Sequence, residues 1–261
     1  MVWNIFFDLH GPLVDVRKII QNYEAYLITL LSPIGLSRRK IINLHRKALD
    51  RWLDKVNKIS IDPKCEVDPN YFLTEMERID REWELFILAN IPKSKKIQVE
   101  AQIRTTNLEY NALAQGKVPV LFPEVHITLM ELSQVSSLDL NIASSASSHH
   151  IRGVITLHNL EGFFKNLIGY DIVKAPKKGL SGIYYKKIIE LTQATPLKTI
   201  FIGDSREEAE HSKKLGFKFV MVSREGKTFS DLKSNEYFYY VKKLDDIPVL
   251  VREWMEVEQN F

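Results

Sequence analysis

The stretch Val2-Trp3-Asn4-Ile5-Phe6-Phe7-Asp8-Leu9-His10-Gly11-Pro12-Leu13-Val14-Asp15 is an apolar run of strand formers that ends in a carboxylate, a histidine and a Gly-Pro turn. A nearly continuous apolar run reads as a parallel strand buried on both faces. In open α/β sheets ligands gather outside the carboxyl ends of the strands, which is where Asp8 stands. An acid in that place is a candidate functional group, and the rest of the chain is read outward from it.

After Asp15 the period changes from strand to helix. Val16, Ile19, Ile20, Tyr23, Leu27, Leu30 and Leu31 follow helical spacing until Ser32-Pro33-Ile34-Gly35 ends the run. Ser37 can cap a second helix with an apolar face of Ile41, Leu44, Ala48, Trp52 and Val56, and His45 near that seam reads as a packed or half-exposed histidine. Asp68-Pro69 starts a third helix through Phe72, Met76, Ile79, Trp83 and Phe86. A fourth, less regular stretch covers Lys95 to Gln115 and stops at Gly116, so residues 16–116 form a helical insertion.

From Val118 onward strand and helix alternate. A helix over Glu124 to Val135 precedes a strand Leu138 to Ala143, which runs into Ser144-Ser145-Ala146-Ser147-Ser148-His149-His150. Next come a helix to Leu160, a strand over Tyr170 to Val173, a basic turn Lys174-Ala175-Pro176-Lys177-Lys178-Gly179, and a helix Ser181 to Leu191. Thr199-Ile200-Phe201-Ile202-Gly203-Asp204-Ser205 again ends an apolar strand in an acid. A helix to Leu215, a strand Phe217 to Val222, a short strand Tyr237 to Val241 and a helix Ile247 to Val257 close the chain. This is the grammar of an α/β fold, a doubly wound, Rossmann-like parallel sheet made of residues 1–15 and 117–261, with residues 16–116 as an inserted all-helical cap. Taken singly, Ser144 is a helix cap, Lys178 a solvated turn lysine and Glu208 a first-turn helix acid. The pairing of Asp8 with Asp204 at two strand ends is what makes a site of them.

Composition narrows the partners. With 36 basic and 33 acidic side chains the formal charge is +3, and no concentrated basic patch points to nucleic acid or an anionic membrane. Arg38-Arg39-Lys40, Arg46-Lys47 and Arg51 read as a solvated helix face. Cys65 is the single cysteine, so no intrachain disulfide or thiolate cluster can form, which fits a reducing interior. The N-terminus lacks the pattern of a signal peptide and no apolar run nears the about 18 residues needed to span a bilayer. A soluble, cytoplasmic protein is expected, of undetermined oligomeric state.

On these residues the chain resembles the haloacid dehalogenase (HAD) superfamily of hydrolases, in the subgroup whose helical cap follows the first motif. Asp8-Leu9-His10-Gly11-Pro12-Leu13-Val14-Asp15 is similar to its Asp-x-Asp-Gly-Thr-Leu-x-Asp, Ile142-Ala143-Ser144 to its strand-ending Ser or Thr, and Gly203-Asp204-Ser205-Arg206-Glu207-Glu208 to its Gly-Asp-Ser-x-x-Asp. The motif lysine aligns at Lys178 through the Ile183-Tyr184 that follows, with Lys174 as the rival. The resemblance implies a Mg²⁺-dependent phosphatase of a small phosphorylated metabolite, with Asp8 as nucleophile through an aspartyl phosphate. It further implies that Mg²⁺ is held by Asp8, the His10 carbonyl, Asp204 and Glu208 through water. Ser144 would bind a phosphoryl oxygen and Lys178 would offset charge.

Four departures bear on activity. His10 replaces the aspartate used as general acid and base, a task a side chain of reference pKa about 6.5 can perform. Pro12 replaces Thr, Gly179-Leu180-Ser181 lacks two prolines, and Glu208 replaces Asp. Two alternatives stay open: a catalytically weak relative that binds a phosphorylated ligand or a protein partner, and a metal-free haloacid dehalogenase, which Gly203-Asp204-Ser205 disfavours.

Overall fold

A computed structural model of the chain describes residues 2–224, 226 and 237–259. Six strands, β1 (Trp3–Phe7), β2 (Leu138–Ala143), β3 (Asn166–Ile168), β4 (Thr199–Gly203), β5 (Lys218–Val222) and β6 (Phe238–Val241), form one sheet in the order β3-β2-β1-β4-β5-β6. All five pairings are parallel. β1 is central because both its faces are apolar. Ile5 and Phe7 join a core with Ile142, Ile202 and Val220, whereas Phe6 joins the opposite core with Tyr184, Phe201 and Phe219. On that second face Phe6, Phe201, Phe219 and Phe238 stack across neighbouring strands at centroid distances of 6.3, 6.4 and 5.9 Å.

Helices cover both faces. α7 (Val125–Ser133), α8 (Ser148–Leu157) and α12 (Ile247–Gln259) supply Leu129, Val154 and Trp254 to the Ile5 side. α10 (Ile183–Thr192) and α11 (Arg206–Leu215) supply Tyr185, Ile188 and Ala209 to the Phe6 side. Between β2 and α10 the expected strand at Tyr170 to Val173 is instead a helical turn, α9 (Tyr170–Val173), and the edge strand lies just before it at Asn166–Ile168. Gly169, still extended, is the N-cap at which the turn begins. Asp171 then accepts hydrogen bonds from the backbone N–H and the hydroxyl of Ser148, which holds the turn against the start of α8.

Residues 16–116 fold as six helices: α1 (Val16–Leu31), α2 (Arg38–Ser60), α3 (Pro63–Val67), α4 (Pro69–Ala89), α5 (Lys96–Ile103) and α6 (Thr105–Ala114). The Ser37 hydroxyl caps α2, and Asp68 caps α4 by accepting from the N–H groups of Asn70 and Tyr71, with Pro69 in the first turn. The irregular fourth stretch is two helices, broken where Arg104 turns to an extended conformation. The insertion has apolar clusters of its own, one around Leu27, Leu44, Trp83, Ile87 and Leu108, another around Ile59, Cys65, Phe72 and Met76. Burying each such aliphatic or aromatic side chain contributes about 1.5–3 kcal/mol before conformational entropy is counted.

The two crossings between insertion and sheet run side by side. The Asp15 N–H donates to the Val120 carbonyl at 2.9 Å, and the Phe122 N–H to that of Leu13 at 3.1 Å. The buried Asn22 side chain pairs with both backbone groups of Val118, at 2.8 and 3.0 Å. α6 packs closely on α8 at Gly153, where a Cβ would stand 2.9 Å from the Leu113 Cβ and 3.0 Å from the Tyr110 carbonyl. No helix among the described residues is long and apolar enough to cross a membrane.

Candidate active site

The parallel register brings three strand ends together. Phe7 of β1 stands opposite Ile142 of β2 and Ile202 of β4, so Asp8, Ser144 and Asp204 all emerge at one edge. The Asp8 N–H donates to the Ile202 carbonyl at 2.8 Å, while one Asp8 carboxylate oxygen accepts from the Leu9 N–H at 2.8 Å. Gly11 has φ +84°, and a Cβ there would lie 1.9 Å from the Asp204 Oδ2. The Gly-Pro turn therefore lets the Asp204 carboxylate settle directly on the loop that follows Asp8.

Oxygen atoms of Asp8, Asp204 and Glu208 lie within 4.8 Å of one another. Burial first, then the negative charges of Asp8 and Glu208, push the Asp204 carboxyl up to about 7, although one side of it is open to solvent. Glu208 is buried in the first turn of α11, where its Oε2 accepts from the N–H groups of Asp204 and Ser205 at 3.0 and 3.1 Å. The Ser205 hydroxyl returns the bond by accepting from the Glu208 N–H, which completes a capping box. Its Oε1 faces Lys177. Both Glu208 oxygens are thus engaged, and its length beyond Asp is what spans from the capping box to the lysine.

The lysine at the site is Lys177, and both expected positions are corrected. The Lys177 Nζ lies 2.9 Å from Asp8 and also contacts Glu208, with its side chain buried. Burial works against its charge, but Asp8 and Glu208 outweigh that and hold the ammonium above the usual lysine range. Lys178 is exposed and lines only the approach to the site, and Lys174 is the left-handed C-cap of α9 at φ 56°. In an Ala-Pro-Lys-Lys-Gly turn, counting back from Ile183-Tyr184 does not tell neighbouring lysines apart. The turn does, since Pro176 and the buried Gly179, packed on Glu66 of α3, point Lys177 inward.

The other expected residues are placed as follows. Ser144 is fully buried, and its hydroxyl accepts from the Ala146 N–H at 3.3 Å, so it shapes the turn, while Ser145, Ala146 and Ser147 line the crevice. The His10 ring turns from the carboxylates to share a 3.1 Å hydrogen bond with His150, whose other ring nitrogen meets the Tyr23 hydroxyl at 3.0 Å. Burial, then Lys177, pulls His10 down to about 4, so the ring is neutral at neutral pH. His150 was no site candidate in the sequence, and its place in the Ser-rich run after β2 is the available signal. Arg224, after β5, was also missed. It donates to the Gly11 and Pro12 carbonyls, pairs with Glu124 at 2.6 Å, and stacks on Phe122 at 3.4 Å, bracing the loop that carries His10.

Above these groups a cavity of about 320 Å³ lies between sheet and insertion. His10, Ser145, Tyr170 and Lys177 form its floor, with Lys178 at the approach, and Tyr23, His45, Trp52, Trp83 and Glu109 belong to its roof. The roof is fastened over the floor, because Glu66 accepts from the Ser181 N–H at 2.8 Å and Phe72 meets Tyr170 edge to face at 5.9 Å.

Solved structures share this architecture. A 2-haloacid dehalogenase from Pseudomonas syringae pv. Tomato DC3000 superposes with a TM-score of 0.63 at 16% identity, covering 97% of this chain and 100% of that one. A HAD hydrolase of Bacillus subtilis with bound magnesium gives 0.61 at 15% identity, over 96% and 98% of the chains. L-2-haloacid dehalogenase from Xanthobacter autotrophicus gives 0.55 at 18% identity, over 97% and 99%. No curated protein sequence matches the chain. The family described as haloacid dehalogenase-like hydrolase matches residues 5–222, which run from the first strand through the cap to the end of β5, and the chain belongs to that family.

Proposed function

We propose that this hydrolase is a Mg²⁺-dependent phosphatase acting on a small phosphorylated metabolite. The observation that carries the reading is the set of three carboxylates, Asp8, Asp204 and Glu208, gathered within 4.8 Å of one another, with the Lys177 ammonium paired to Asp8 and Glu208. Three acids against one base leave an excess of negative charge that a divalent cation satisfies, and hard oxygen donors suit Mg²⁺. Asp8, Asp204 and the His10 carbonyl would hold the ion, with Glu208 reached through water. When bound it would neutralise charge on the phosphoryl group.

The chain's own residues account for the rest. The Asp8 carboxylate attacks phosphorus, the P–O ester bond breaks, and its electron pair leaves on the alcohol oxygen, which takes up a proton. Water then attacks the aspartyl phosphate, releasing phosphate and restoring Asp8. Lys177 pairs with the nucleophile in a buried site and offsets the arriving anion. Both proton transfers are assigned to His10: a phosphate dianion beside the ring would raise its proton affinity, the protonated ring gives its proton to the leaving oxygen, and the neutral ring then accepts one from the attacking water.

Hydrolysis of p-nitrophenyl phosphate with and without Mg²⁺ tests the reading. Turnover should require the metal, fall by at least about a thousandfold in Asp8→Asn, and drop by about a hundredfold in His10→Ala. Absence of Mg²⁺-dependent turnover that Asp8→Asn abolishes would reject the phosphatase, and full activity in His10→Ala would reject only the role of His10. One observation favours a second reading, metal-free dehalogenation: Lys177 itself gives the Asp8 carboxylate a buried counter-charge. Chloride release from a 2-chloroalkanoic acid in the presence of a chelator would establish it. Inactivity on both substrates leaves the catalytically weak, ligand-binding relative.

A further inference from the structure

The roof of the cavity has a character of its own. Tyr23 of α1, Trp52 and His45 of α2 and Trp83 of α4 stand in it, with Tyr170 of α9 on the core side, so aromatic rings line the chamber among aliphatic side chains such as Ile19, Leu53 and Val56. One acid stands in this wall and a second lies behind it. Glu109 of α6 lines the chamber and is bonded through one oxygen to the Ser147 hydroxyl, and Asp80 of α4 accepts from the Trp52 indole N–H at 2.7 Å. Neither has a cationic partner among the described residues. The only Lys or Arg side chains that line the chamber are Lys177 and Lys178, both in the turn on the phosphate side, and Lys177 is engaged with Asp8 and Glu208.

This division is electrostatic as well as geometric. The Glu109 carboxyl is pushed up to about 8 by burial and then by the charges of Asp80 and Asp171, against the pull of its bond to Ser147. Asp80 rises to about 6, again by burial first and then by Glu84 and Glu77. Buried acids without a counter-charge are costly, and one supplied by a ligand relieves that cost. Aromatic walls add attraction for a cation that they withhold from a neutral group of the same shape.

We infer, resting on the reading of Asp8 as the nucleophile toward phosphate esters, that the alcohol portion of the substrate carries an amine or ammonium cation, seated among Tyr23, Trp52, Trp83 and Tyr170 and facing Glu109. The substrate is thus a phosphorylated amino alcohol, anionic at the floor and cationic at the roof. An uncharged alkyl or sugar ester would offer Glu109 no counter-charge.

Choline and its uncharged isostere 3,3-dimethylbutan-1-ol separate charge from shape. Binding of each to the intact protein is read by quenching of tryptophan fluorescence and by calorimetry, without any need for turnover. Choline should bind about tenfold or more tightly than the isostere, a gap of the size that cation–aromatic and carboxylate contacts supply. Glu109→Gln, which keeps a partner for Ser147 and removes the charge, should close most of that gap. Equal or tighter binding of the isostere, or no binding of either alcohol, overturns the inference. The comparison on the wild-type protein decides the matter even if the variant does not fold. Failure of p-nitrophenyl phosphate hydrolysis beside a retained preference for choline would instead remove the phosphatase reading and leave the cation site standing.

Discussion

Lys177 shows what a single buried charge does here. Its ammonium answers two buried carboxylates, so Lys177→Met leaves both without compensation and should cost about 3–5 kcal/mol of stability together with nearly all activity. Lys178→Met, at an exposed position, should stay within about 0.5 kcal/mol of the parent. Urea unfolding of the two variants checks the assignment directly. Glu109 makes a separate prediction. An unfolded chain releases the Glu109 proton near the ordinary glutamate value of about 4.3, whereas the folded protein holds it to about 8. Between those values the native state binds more protons than the unfolded one, so this group's contribution to stability falls as pH rises and levels off above about 8. Glu109→Gln removes the dependence. Its advantage in melting temperature over the parent should widen from pH 5 to pH 8 and then stay constant. At this scale the convergence of Asp8 and Asp204 was legible, because each follows an apolar run where an acid has few structural uses, whereas Glu208 came only with the family resemblance. Lys177 was not, since two adjacent lysines carry the same composition and only the turn's path distinguishes them.

The elements follow the same division. Long periodic helices such as α1, α2 and α4 could be read with their caps, and β1, β2, β4 and β5 declared themselves by apolar runs. β3 did not, because it has three residues and opens with Asn166, whose side-chain amide donates to the side-chain Oδ1 of Asn141 at 2.7 Å. The more apolar Tyr170 to Val173 drew the strand assignment instead, and only the tertiary bonds of Asp171 show why it coils. The α6–α8 contact is the element-scale test. A valine at Gly153 would drive its branches into the Leu113 side chain and the Tyr110 carbonyl. Gly153→Val should lower stability by about 1–3 kcal/mol, and hydrogen exchange should show the loss in α6 and α8 before the strands β4 and β5.

For the molecule as a whole, the placement of one atom turns cap movement into a measurable rate. The Cys65 thiol lies in α3, 1% exposed, in the apolar cluster that also receives Tyr170 from the sheet side, and α3 reaches the lysine turn through Glu66. Burial, then Asp62, Glu75 and Glu66, pushes the thiol up to about 11, so in the closed form it is both shielded and protonated. Since the thiolate is the reactive species and the chain has one cysteine, colour development with a disulfide reagent such as Ellman's reports a single event. That rate should be slow, should saturate with reagent concentration at the frequency with which α3 lifts from the sheet, and should fall further when choline or phosphate with Mg²⁺ holds the roof down. A fast rate unchanged by either ligand would show that α3 moves independently of the chamber. The buried sulfur therefore serves as an internal clock: without any attached label, it counts how often the protein opens to admit what it hydrolyses.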